Sequence, residues 1–204
     1  PHLEPIHQYD ATIELIDWCK SNNIDVEAAS LVGEALFRQF TDASKPIKVR
    51  EHQAQSLAAN FKAGTANGRN AIITSGTGSG KTESFLLPVL TRLVAEGKRD
   101  GWSLNESYNH WWELKSDKGW KSVRSNSARK SAVRTLILYP TNALVEDQIV
   151  RLRRAIGQIS QGGAGQIWFG RFTSGTPGSI KFDKNGKKSG WKNSFTGLSN
   201  MLKA

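Results

Sequence analysis

The run Thr74-Ser75-Gly76-Thr77-Gly78-Ser79-Gly80-Lys81-Thr82 constrains this chain more than any other. It follows the short apolar segment Asn70-Ala71-Ile72-Ile73-Thr74 and precedes Phe85, Leu86, Val89, Leu90 and Leu93, which repeat at helical spacing. A buried strand that turns through a glycine-rich loop into a helix is the context a phosphate-binding loop requires. Its successive N–H groups converge on phosphate oxygens, and the helix adds its positive N-terminal end. Gly76, Gly78 and Gly80 let the backbone come close to the ligand. Lys81 is expected to reach the β- and γ-phosphates and the Thr82 hydroxyl to complete a Mg²⁺ shell. The strict pattern G-x-x-x-x-G-K-[ST] has glycine where this chain has Ser75.

The same alternation continues on both sides. Helices are expected over 9–22, 26–40, 50–63 and from Asn142 to about Ile156, with a linker at Thr41–Lys48 around Pro46. Strands are expected at Asn70–Thr74, Arg134–Tyr139 and Gln166–Gly170. Strands alternating with helices imply an α/β fold whose parallel sheet is wound by right-handed crossovers. Residues 97–132 break the rhythm. They set Trp111, Trp112 and Trp120 among Lys115, Lys118, Lys121, Arg124, Arg129 and Lys130, and read as an insertion. Aromatic faces stack on unpaired bases and cations neutralise phosphates, so this insertion is a candidate single-strand contact; the alternative is a surface loop whose tryptophans pack on the domain. A formal net charge of +10 makes nucleic acid the expected partner. The single Cys19 excludes an internal disulfide and any multi-cysteine metal site. No apolar run approaches a membrane span and no signal peptide opens the chain, so no membrane partner is expected and the expected location is the cytoplasm.

Four runs, the loop's own among them, carry a resemblance to superfamily 2 helicases of the DEAD/DEAH type, over residues 47–178. Thr74 to Leu90, with its Phe-x-x-Pro at Phe85 and Pro88, looks like helicase motif I. Arg50-Glu51-His52-Gln53, with Gln53 28 residues before Lys81, is similar to the Q motif, in which a Gln amide reads the adenine edge. Either Phe37 or Phe40 is then a candidate to stack on adenine, and both equally fit an apolar helix face. Pro140-Thr141-Asn142-Ala143-Leu144 through Gln148 looks like motif Ia, where a capped helix N-terminus holds a nucleic-acid phosphate; Asn142 stands where Arg is common. Arg171 to Gly178, with Gly175 and Thr176, resembles the strand-end loop that also touches the bound strand.

The resemblance implies ATP and Mg²⁺ as cofactors. It implies an ATP site of Gln53, Ser75, Gly76, Thr77, Gly78, Ser79, Gly80, Lys81, Thr82 and Glu83, with Lys81 and Thr82 catalytic, and nucleic-acid contacts at Pro140, Thr141, Asn142, Gly175 and Thr176. It also implies a partial RecA-like parallel sheet flanked by helices over 46–204, behind an N-terminal helical appendage over 1–45. The nucleic acid is expected to be DNA rather than RNA, because the motif Ia run and the tryptophan-rich insertion resemble large bacterial helicases, some of which serve DNA processing or phage defence. Motif II, D-E-x-[DH], does not occur in the 204 residues, nor do motif III or a second RecA-like domain. The expectation is therefore the ATP-binding portion of a helicase or translocase, hydrolytically inactive alone and completed by the rest of the motor. Two alternatives stay open: a non-catalytic nucleic-acid-binding fragment, and an unrelated phosphate-loop NTPase.

Overall fold

The computed structural model describes residues 9–62, 71–76, 78–102, 132–173, 176, 181–182, 188–189 and 200–201. In chain order the elements are β1 (Ile13–Glu14), α1 (Leu15–Ser21), α2 (Val26–Phe37) with a 3₁₀ turn (Arg38–Phe40), β2 (Lys48–Val49), α3 (Glu51–Phe61), α4 (Lys81–Arg99), α5 (Asn142–Gln161), β3 (Lys181–Phe182) and β4 (Lys188–Ser189). They fall into two compact units. One comprises 1–104 with 150–167, the other 105–149 with 168–204.

The first unit is a helical packing around α4. Leu86, Leu87, Leu90 and Val94 give α4 a buried apolar stripe at helical spacing. α2 packs on α4 and buries the small residues Ala28, Ala29, Val32 and Ala35. α2 starts where Asp25 accepts the Ala28 N–H over 2.9 Å, satisfying one orphan donor of the first turn. α3 packs on α4 and buries Ala54 and Leu57, and the Trp18 indole of α1 donates to the Ala54 carbonyl over 2.8 Å.

Pro88 lies inside α4 and has no N–H to give the Ser84 carbonyl one turn earlier. The buried Ser56 hydroxyl of α3 donates to that carbonyl instead, over 2.6 Å. The backbone group orphaned by proline is satisfied from the neighbouring helix, and α4 continues to Arg99.

The first expected helix is shorter than its periodicity suggests. Ile13 and Glu14 pair antiparallel with Val49 and Lys48, and α1 begins only at Leu15. The expected linker therefore ends in a strand: Val49 and Ile47 are buried, and a β-branched pair suits a ladder. Among the described residues the two sheets, β1–β2 and β3–β4, are two-stranded and antiparallel. The expected strand runs 71–74, 134–139 and 166–170 join no ladder among the described residues. Ile72, Leu136 and Leu138 are 88%, 75% and 80% exposed, whereas a parallel strand is stable only when neighbours cover it. In the second unit, Arg171 pairs with Glu146, tying the segment after 168 to the start of α5. Of the expected insertion 97–132, residues 103–131, with Trp111, Trp112 and Trp120, lie outside the described residues; its start is regular instead, because α4 continues to Arg99 and Trp102 is buried in the core.

Candidate functional site

The phosphate loop enters α4 through a left-handed residue. Gly80 is the N-cap, with φ 79° and ψ 35°, and Gly78 has φ 77°, a region in which side chains bearing a Cβ are strained. Three bonds shape the loop from within. The Ser79 hydroxyl donates to the Ser75 hydroxyl over 2.6 Å, and the Lys81 ammonium donates to the carbonyls of Ser75 and Gly76 over 2.6 and 2.9 Å. Lys81 thus spans the loop mouth with its charge held over the loop.

A cavity of about 530 Å³ opens against this loop, lined by Gly78, Ser79, Gly80, Lys81, Thr82 and Glu83. Its other walls are Ala11, Phe37 at the end of α2, Phe40 and Thr41 of the 3₁₀ turn and its cap, Lys48 of β2, Arg50 and Gln53 at the start of α3, and Arg151 of α5. Lys48, Arg50, Lys81 and Arg151 bring four cations to one carboxylate, Glu83, so the cavity favours a polyanion. Arg151 donates to the Glu83 carboxylate over 2.9 Å. The volume falls within the usual range for small-molecule sites, roughly 300–1,000 Å³.

Gln53 is 3% exposed, and both ends of its amide are engaged by the protein. Its Oε1 accepts the Arg50 N–H over 2.9 Å, and its Nε2 donates to the Gly80 carbonyl over 3.1 Å. The amide therefore connects α3 to the loop in this structure. Both phenylalanines line the cavity but differ in burial: Phe37 is 9% exposed and packed into the core, whereas Phe40 is 76% exposed. Arg38 fixes the turn that carries Phe40. It binds the Glu34 carboxylate and donates to the carbonyls of Asp42 and Lys45 over 2.7 and 2.9 Å. Its hydrogen bond, and secondarily its charge, hold the Glu34 carboxyl below its ordinary range against the opposing effect of partial burial.

Thr82 lines the cavity beside Lys81. The described residues contain no group of three or more His, Cys, Asp or Glu suited to a metal. Of the residues at the loop, Thr82 has the hydroxyl that would hold Mg²⁺, a cation that prefers oxygen ligands. Thr77 and Gly175 lie outside the described residues. The remaining nucleic-acid candidates belong to the second unit. Pro140, Thr141 and Asn142 are exposed, and the Thr141 hydroxyl accepts the Leu144 N–H over 3.4 Å at the opening of α5. Thr176 closes a turn: its N–H donates to the Thr173 carbonyl over 2.9 Å and its hydroxyl accepts the Thr173 N–H over 2.7 Å.

The DEAD/DEAH box helicase family model matches residues 50–171, which contain the loop, Gln53 and the opening of α5. The chain belongs to the DEAD/DEAH box helicase family. It is also 34% identical over 133 residues to the Druantia protein DruE of Escherichia coli (strain UMEA 4076-1), a match covering 62% of this chain and 6% of that protein. No solved structure matches. No described helix is long and apolar enough to cross a membrane. Lys48 and Arg151 join the cavity without any local motif to announce them. Arg50 stands in the quoted Q-motif run, but its contacts lie far away in sequence.

Proposed function

We propose that this chain carries the ATP-binding portion of an ATP-dependent DNA helicase or translocase. The observation that carries this reading is the cationic cavity built on the glycine loop, with Lys81, Arg50, Lys48 and Arg151 around it. Lys81 exchanges the Ser75 and Gly76 carbonyls for β- and γ-phosphate oxygens, while N–H groups at the start of α4 receive the β-phosphate. Thr82 would hold Mg²⁺, which would supply charge neutralisation at the phosphates. Phe40 stacks on adenine and Gln53 reads its edge after reorienting its amide. Pro140, Thr141, Asn142, Gly175 and Thr176 contact the backbone of a DNA strand.

Residues 46–204 form part of a RecA-like domain with a parallel sheet, and 1–45 are its helical appendage. The family membership and the order of motifs support this reading. A second RecA-like domain completes the motor, and hydrolysis needs the motif II carboxylates that the 204 residues do not contain. This chain alone therefore binds ATP without efficient turnover. The working place is the cytoplasm, in a DNA-processing or phage-defence system.

Calorimetric titration with Mg·ATP and Mg·GTP tests the site. Binding of ATP in preference to GTP, reduced at least about a hundredfold in Lys81→Ala, is expected from removal of a charge-assisted phosphate contact. Undiminished affinity in a folded Lys81→Ala chain would contradict the assignment.

A further inference from the structure

Tyr9 reaches the phosphate loop from a side that does not line the cavity. The Gly76 N–H donates to the Tyr9 hydroxyl over 3.0 Å. Arg50 closes the arrangement: its Nε donates to the Tyr9 carbonyl over 2.7 Å, and its Nη1 donates to the Gly78 carbonyl over 3.1 Å. The Tyr9 ring meets His52 edge to face, with centroids 6.1 Å apart and planes at 77°. Two side chains, one of them far from the loop in sequence, thus hold Gly76 and Gly78 by hydrogen bonds, while Arg50 alone of the two also faces the cavity.

We propose that Tyr9 and Arg50 are positioning residues that brace the phosphate loop in its binding shape before the nucleotide arrives. The proposal rests on the reading of this loop as the triphosphate site. A glycine-rich loop has more backbone freedom to lose than any other segment, and fixing it in advance transfers that cost from binding to folding. The guanidinium suits the task because its planar fork serves two carbonyls at once, which an ammonium on a flexible stem does poorly.

The glycine at 76 supports the same conclusion. Gly78 and Gly80 have positive φ, but Gly76 does not. A Cβ at Gly76 would stand 2.7 Å from the Tyr9 hydroxyl oxygen, so this position is small because the phenol comes so close. An alanine at 76 should therefore do less harm when the hydroxyl is absent.

The test compares the unaltered chain with Tyr9→Phe, Arg50→Lys, Gly76→Ala, the Tyr9→Phe/Gly76→Ala pair and Lys81→Ala. Amide hydrogen exchange is followed without nucleotide, and Mg·ATP affinity by calorimetry. Tyr9→Phe keeps the ring on His52 and touches nothing in the cavity. It is expected to speed exchange of the loop amides from 76 to 80, leave α2 and α4 protected, and weaken Mg·ATP roughly two- to tenfold, as for one neutral hydrogen bond. Arg50→Lys should do the same, and the double variant should bind better than the two single losses multiplied together. Unaltered loop exchange or unaltered affinity in Tyr9→Phe, with Lys81→Ala still losing ATP, overturns the brace and leaves the site reading standing. Faster exchange throughout α2 and α4 also overturns it, since the hydroxyl would then serve general stability. If the unaltered chain binds no Mg·ATP, the site reading itself falls and the positioning role falls with it.

Discussion

Cys19 shows how one side chain senses its surroundings. It is fully buried in α1, one turn after Leu15, and burial, with a smaller effect of the Asp25 charge, pushes its thiol from an ordinary 9.0 up to about 11. The folded chain therefore favours the neutral thiol. That preference stabilises the fold fully below about pH 9 and is lost as pH rises through about 11. Two consequences can be measured. Ellman's reagent should label Cys19 far more slowly in the native chain than in urea at pH 8. The urea midpoint should fall between pH 9 and 11 in the unaltered chain, and less so in Cys19→Ala measured against its own value at pH 8.

At the scale of elements, the Pro88 repair carries the clearest prediction. Ser56→Ala removes the buried hydroxyl that serves the Ser84 carbonyl. The expected loss is about 1–3 kcal/mol, read from urea denaturation; Ser56→Thr, which retains the hydroxyl, should lose less. Losses equal in the two variants would mean that packing rather than the hydrogen bond matters there. Such a partnership was not visible in the sequence, because Ser56 and Ser84 are 28 positions apart and neither is unusual alone. The helices were visible, since apolar spacing is local: α2, α3 and α4 all lie where Leu31 to Phe37, Leu57 to Phe61 and Phe85 to Leu93 placed them. Strands depend on distant partners, so apolar runs such as Arg134–Tyr139 suggested an element that no ladder completes among the described residues. The glycine-rich loop was legible for the same reason as the helices, Gly76, Gly78 and Gly80 lying within one short run. Tyr9, joined to Gly76 across 67 positions, was not.

For the whole molecule, the governing quantity is charge. A formal net charge of +10 on 204 residues makes long-range attraction to nucleic acid the first term in any encounter. Affinity for an unstructured single-stranded DNA should fall linearly on a log–log plot against salt, with a slope of about −0.7 for each phosphate neutralised. Fluorescence anisotropy from 50 to 300 mM KCl measures it, and a flat response would exclude a backbone-led contact.

Gln53 grips the Gly80 carbonyl and Ser56 grips the Ser84 carbonyl, so consecutive turns of α3 hold consecutive turns of α4. In mechanical terms the loop and these two helices make a truss. Its 19-residue chord, α4, is pinned at the one place where proline would let it buckle. A displacement imposed at the phosphate end is thus carried along about 28 Å of helix to Arg99 instead of being spent in a bend at Pro88.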